Sequence, residues 1–207
     1  MKNIILASSS PRRKEILEMI GIPFQICPAD IDETLLSEET SEQAVLRLSG
    51  MKAEALSGKF PGSIVIGSDT LVQAQLDCRT HTVFGKPVDE KDAHRMLKIL
   101  SGQRSVVYTG ICLLDMDSGQ RECGYATTEV YMKSLSDAAI EKYICTKEPL
   151  DKAGAYAIQG AGAVFIEKIQ GDFFNGVGLS VSLLSDLFLK MGIDLLDLHP
   201  ENRDAPP

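Results

Sequence analysis

Residues 3–20 read NIILASSSPRRKEILEMI, and this stretch decides the fold class. The apolar run 3–7 has the pattern of a short buried strand. It leads directly into three serines and a proline. Ser10 is placed as a helix N-cap and Pro11 as the first helical residue. The helix runs to about Ile20, and Gly21 is its stop. A strand feeding straight into a helix is the opening unit of an α/β protein. Arg12, Arg13 and Lys14 then fall in the first helical turn. Cations there oppose the positive end of the helix dipole, at a cost of roughly 0.3–1 kcal/mol each. Serine hydroxyls, free helix amides and two guanidinium forks around one point are the ingredients of a phosphate cradle. The other reading is a solvated turn decorated with cations. The stretch is not a Walker loop, because GxxxxGK[ST] is absent.

Outward from this stretch, strand and helix patterns mix without strict alternation. Residues 24–30 read as a second strand leading to the acidic loop Asp30-Ile31-Asp32-Glu33. Helical spacing runs from Ser41 to about Leu56, with Lys52 the one polar residue among its apolar positions. The β-branched run 63–67 reads as a central buried strand, with Asp69 and Thr70 just beyond it and 71–76 as a return strand. The stretch 77–82 reads as a loop before a Gly-Lys-Pro turn at 85–87. Asp89 and Ser136 cap two further helices, to about Leu100 and Ile144. Long strands at 105–115 and 123–132 are joined by a hairpin turn. A glycine-punctuated loop at 148–162, a strand at 163–172 and a helix at about 179–191 complete the chain. The expected architecture is α/β, with a mixed, partly antiparallel central sheet flanked by helices. The domain is expected over 1–195, and 196–207 as a polar tail.

The 207 residues are 44% hydrophobic and carry a net charge of −8. That length suits one sizeable domain, or two small lobes around a cleft. The acidic balance argues against non-specific nucleic-acid binding but leaves room for a small anion held by local cations. The apolar start is too short for a signal-peptide core, and no run is long enough to span a membrane. Five cysteines with no CxxC spacing read as separate reduced thiols in a cytoplasmic protein.

The candidate chemistry lies in a few polar positions. Asp69, straight after a buried strand, stands where α/β proteins place ligands, or else it shapes a turn. Glu33 and Asp32 could share a divalent cation with Asp69, or belong to a solvated loop. Lys86 projects from the stiff Gly-Lys-Pro turn, or is merely solvated. Lys152 and Gln159 lie on the 148–162 loop. The Gln159 amide could read a base edge or close the loop with a hydrogen bond. The three histidines form no set, and neither GxSxG nor HExxH occurs.

Five motifs in order resemble the Maf family, also called septum-formation-inhibitor-like proteins. They are ASSSPRRKEIL (7–17), VIGSDT (65–70), GKP (85–87), RMLKILSG (95–102) and EPLDKAGAYAIQGAG (148–162). The resemblance implies a fold similar to that of inosine triphosphate pyrophosphatases, with two lobes around a cleft, and usually a homodimer. It implies a nucleoside triphosphate pyrophosphatase that uses Mg2+, with Mn2+ or Co2+ as alternatives. Asp69 falls on the family's general base, and Glu33 on a metal ligand or orienting acid. Glu33 and Asp69 are thus the implied metal ligands, and Lys86 the implied catalytic lysine. Ser8, Ser10, Arg12, Arg13 and Lys152 fall on substrate-binding positions. Arg12, Thr70 and Gln159 match the positions linked to pyrimidine choice. A glutamine rather than a glutamate at 159 implies the dTTP/UTP branch, which extends to modified pyrimidine nucleotides. The alternatives are a pyrophosphatase for 7-methylguanosine or other non-standard purine triphosphates, and a non-catalytic nucleotide-binding regulator of cell division. One departure is Asn175-Gly176-Val177-Gly178-Leu179-Ser180, where the family has a proline-closed turn. A more flexible turn is expected there.

Overall fold

A computed structural model of the chain describes residues 2–75 and 81–202. The elements in chain order are β1 (Asn3–Leu6), α1 (Pro11–Met19), β2 (Gln25–Ile26), α2 (Ser41–Glu54), β3 (Ser63–Gln75) and β4 (His81–Phe84). They continue with α3 (Glu90–Leu100), β5 (Arg104–Asp115), β6 (Arg121–Met132), α4 (Asp137–Cys145), β7 (Ile166–Gly171), α5 (Phe173–Val177) and α6 (Val181–Lys190). The strands form one sheet in the order β2-β1-β3-β5-β6-β7, with β4 paired to β3. β1 is parallel to β2 and to the first part of β3, in the register Asn3–Ser63 to Leu6–Ile66. β4 is antiparallel to the far end of β3, and β7 is antiparallel to β6. The sheet is therefore mixed, as expected from the sequence.

Local chemistry explains most of the helix starts. Thr40 and Gln43 form a reciprocal capping box at the head of α2. Asp89 and Ser136 cap α3 and α4 through their side chains, as read from the sequence. Ser10 stands at the N-cap of α1, but its side chain makes no cap hydrogen bond. Ser8 does related work there, its Oγ accepting the Ser10 N–H at 3.2 Å.

Three expectations need correction. Residues 71–75 are not a return strand, and Leu76 lies outside the described residues. Within the described residues β3 continues without a break from Ser63 to Gln75, so Asp69 and Thr70 lie inside it. Asp69 nevertheless lies beyond the point where β1 stops pairing, which is Ile66. The five cysteines are not all separate thiols. Cys112 on β5 faces Cys123 on β6 with Cα atoms 4.1 Å apart, and the two sulfurs are bonded. Finally, α5 was not expected, because five residues are too few to show a period. Most of the loop placed at 77–82, and residues 203–207 of the tail, lie outside the described residues.

The chain divides into two compact units. The first comprises Met1–Asp69, Thr109–Ala126 and Gly178–Pro207. Its core packs Ala53 of α2, and Leu56 just beyond the helix end, against Ile5, Ala7 and Val65. Two glycines allow α2 to lie directly on the strands. A Cβ on Gly67 would come 2.0 Å from the Ser49 carbonyl oxygen, and one on Gly110 2.3 Å from that of Val45. The second unit comprises Thr70–Tyr108 and Thr127–Val177. Its core takes Ala93, Met96, Leu97 and Leu100 from α3 and Ile140, Tyr143 and Ile144 from α4. Inside it Asn175 Nδ2 donates to Thr128 Oγ1 at 2.8 Å and to the Val107 carbonyl at 3.2 Å. The Tyr156 hydroxyl sits 3.3 Å from Ser105 Oγ, and burial pushes its pKa up to about 12.

Candidate active site

In the first unit, α2 and β3 bring the charged groups together. Residues two apart on a strand share a face, so Asp69 points to the same side as Gly67. Because Gly67 lies against Ser49 and Ala53, the helical position between them, Lys52, is carried to Asp69. Lys52 Nζ donates to Asp69 Oδ1 at 2.6 Å and lies 2.8 Å from Glu33 Oε1. Lys52 and Asp69 are both buried, at 7% exposure each, whereas Glu33 is exposed. A buried cation needs such partners, because an uncompensated charge in the interior is costly.

Glu33 is held by its own loop. The Asp32 carboxylate accepts the Thr34 N–H at 2.9 Å and the Thr34 hydroxyl at 2.6 Å. Those two bonds keep Asp32 ionised below the usual aspartate range. Arg47 on α2 ties the loop down, donating from Nε to Glu39 Oε2 at 2.8 Å and from Nη2 to the Thr34 carbonyl at 3.1 Å. Asp32 is thus a loop former, and Glu33 is the acid delivered to Lys52.

The three cations of α1 have separate fates. Lys14 is exposed and pairs with Glu18 at 3.5 Å, one turn on. Arg12 is half-buried. Arg13 is buried at 8% exposure, one turn before the core residues Ile16 and Leu17. Its Nε donates to the Gly178 carbonyl at 2.9 Å and its Nη1 to Ser8 Oγ at 3.0 Å. Burial draws the Arg13 pKa below its ordinary value and Arg12 adds to this, while Asp69 and Glu33 oppose it. The field of those acids therefore reaches Arg13. Gly178 has a φ of 128°, which favours glycine, and Ser180 caps α6 by accepting the Leu183 N–H at 3.1 Å. The Ser180 cap and the Arg13 contact thus both engage the 178–180 turn.

In the second unit, the turn bearing Lys86 meets the 148–162 loop, the Gly85 carbonyl accepting the Gly154 N–H at 3.0 Å. Lys86 and Gln159 are exposed. Lys152 is half-buried, pairing with Asp151 and donating to the Glu148 carbonyl at 3.2 Å. Thr70, half-buried, follows Asp69 on β3. Of the residues singled out in the sequence, Ser8, Ser10, Arg12, Arg13, Glu33 and Asp69 belong to the first unit. Thr70, Lys86, Lys152 and Gln159 belong to the second.

Lys52 was not among the expected site residues. Its one trace in the sequence is a cation at an apolar position of the α2 pattern.

Among the described residues no three His, Cys, Asp or Glu side chains gather into a metal-binding group. Glu33 and Asp69 do converge on a single cationic point, the Lys52 ammonium. Carboxylate oxygens are donors that suit Mg2+, and here the two acids are paired to the Lys52 ammonium.

The family model for the Maf-like protein matches residues 3–191. The chain is 46% identical over 188 residues to the dTTP/UTP pyrophosphatase of Clostridioides difficile, covering 91% of this chain and 94% of that one. It is 43% identical over 182 residues to the dTTP/UTP pyrophosphatase of Alkaliphilus oremlandii, covering 87% and 92%. The dTTP/UTP pyrophosphatase of Methanococcoides burtonii is 42% identical over 198 residues, covering 95% and 99%. With a family match over nearly its whole length and relatives at this identity, the chain belongs to the Maf-like protein family.

Proposed function

We propose that this protein is a nucleoside triphosphate pyrophosphatase that hydrolyses dTTP and UTP to the monophosphate and pyrophosphate. The observation that carries the reading is Lys52 held between Asp69 and Glu33, with Arg13 buried in the field of both acids. The name shared by its relatives supplies the substrates.

In the reaction a water oxygen attacks the α-phosphorus while Asp69 accepts the water proton. The bond from the α-phosphorus to the bridging oxygen of the β-phosphate breaks, and pyrophosphate leaves. Lys52 holds the Asp69 carboxylate in place for this step. Arg12 and Arg13, with Ser8 and Ser10, neutralise and orient phosphate oxygens. Lys86 and Lys152 add positive charge toward the phosphates. Thr70 and Gln159 select a pyrimidine base. Glu33 and Asp69 would hold a divalent ion, which when bound offsets charge on the phosphates. The roles of Thr70, Lys86, Lys152 and Gln159 rest on the motif match. So do Mg2+ as the ion and a homodimeric state. No helix among the described residues is long and apolar enough to cross a membrane.

The test is pyrophosphate release across a nucleotide panel with Mg2+, with Asp69→Asn as control. Turnover of dTTP and UTP is expected, with kcat reduced about 10²–10⁴-fold in the variant, the range for loss of a general base. Near-wild-type turnover by Asp69→Asn would refute the assigned base. Turnover of 7-methylguanosine triphosphate alone would refute the pyrimidine assignment.

A further inference from the structure

The loop that carries Gln159 is organised around one carboxylate that no step above uses. Glu148 Oε1 accepts the Gly162 N–H at 3.0 Å and the Tyr143 hydroxyl at 2.8 Å, and Oε2 accepts the Ala161 N–H at 2.8 Å. The Tyr143 oxygen in turn accepts the Ala157 N–H at 3.2 Å. Gln159 therefore lies between two fastened points, Ala157 and Ala161–Gly162. Tyr143 is itself held by the core of α4 and by an edge-to-face contact with Phe165 at 5.2 Å.

The backbone is shaped to fit this carboxylate. Gly160 has a φ of 82°, and a Cβ there would come 2.7 Å from Glu148 Oε2. A Cβ on Gly162 would come 2.5 Å from the Tyr143 oxygen. Ala155, earlier in the loop, holds a left-handed φ of 60° that side chains other than glycine disfavour. Such backbone persists only where its surroundings over-determine it.

We propose that Glu148 is a positioning residue for base recognition, its carboxylate stapling the 157–162 segment into the one shape that presents Gln159. The ligand in this inference rests on the dTTP/UTP reading; the staple does not. An amide at 148 would keep one acceptor oxygen and set an NH2 group against donors on the other side. The loop would then spend only part of its time in the competent shape, and apparent affinity falls by that fraction.

Three readouts test this on the full-length protein. In Glu148→Gln, the amides of Ala161 and Gly162 should exchange with solvent about tenfold faster. KM for dTTP and UTP should rise about tenfold, with kcat within about twofold of wild type. Calorimetry in an Asp69→Asn background should show the same weakening of dTTP binding when Glu148→Gln is added. Tyr143→Phe, which keeps the ring against Phe165, should give the same pattern in smaller measure, and serves if Glu148→Gln does not fold. Faster exchange with unchanged KM and binding would overturn the proposal, as would unchanged exchange. A wild-type protein that binds dTTP without hydrolysing it would refute the pyrophosphatase reading. The calorimetric shift would then still support the staple.

Discussion

Seventeen positions separate Lys52 from Asp69 in the chain, yet their charged atoms lie 2.6 Å apart and both side chains are buried. Breaking a buried pair from one side leaves an uncompensated charge, at a cost of about 3–5 kcal/mol. Lys52→Met is therefore expected to lower unfolding free energy by about 3 kcal/mol in a denaturant titration, because Asp69 loses its buried cation. Adding Asp69→Asn to Lys52→Met should restore most of that loss, because the orphaned charge is gone. A double variant as unstable as the sum of the singles would show that the two residues do not act as a pair. Arg13 tells the same story of context. In the sequence it is one of three adjacent cations, but only its position on α1, one turn before Ile16 and Leu17, turns it inward. Neighbours on a helix point about 100° apart, so Lys14 meets solvent while Arg13 meets Ser8 and Gly178.

At the scale of elements, the contact of α2 with β3 aims Lys52. Gly67 makes that contact possible, since any Cβ there would drive into the helix backbone at Ser49. Gly67→Ala should destabilise the protein by about 1–3 kcal/mol, the range for overpacking, and should cut kcat as Lys52 moves off Asp69. A variant with a lowered melting temperature but full turnover would separate the packing from the site. The 148–162 loop makes a pH prediction. Burial pushes the Glu148 carboxyl up, but the N–H groups of Gly162 and Ala161 and the Tyr143 hydroxyl outweigh it and leave its pKa below the usual value of 4.5. A carboxylate with a depressed folded-state pKa adds stability above its unfolded value and loses it as pH falls through the folded one. The gap in melting temperature between wild type and Glu148→Gln should thus be full near pH 6 and shrink as pH drops below about 4.5. A gap independent of pH would mean that the ionised form does not hold the loop.

At the scale of the whole molecule, local signals carried far. Caps, glycine stops and apolar period marked α2, α3, α4 and α6, and the first strand–helix passage announced an α/β fold. Those features depend on residues within a few positions of one another, so the sequence displays them directly. The length of β3 did not show, because Asp69 and Thr70 look like a break to any local reading. They stay in the strand because β4 pairs with its far end, from Val72 to Gln75. The facing of Cys112 and Cys123 depends on the β5–β6 register, which spacing alone does not give. The same divide runs through the site. By its motifs the sequence determined the family and the chemical types of most candidate residues. Tertiary structure alone decided that Lys52 joins Asp69 and Glu33, that Arg13 is buried while Lys14 is not, and that Glu148 fastens the loop around Gln159. The reason is physical: a motif records which groups a reaction needs, whereas distance and burial come from the packing of segments remote in the chain.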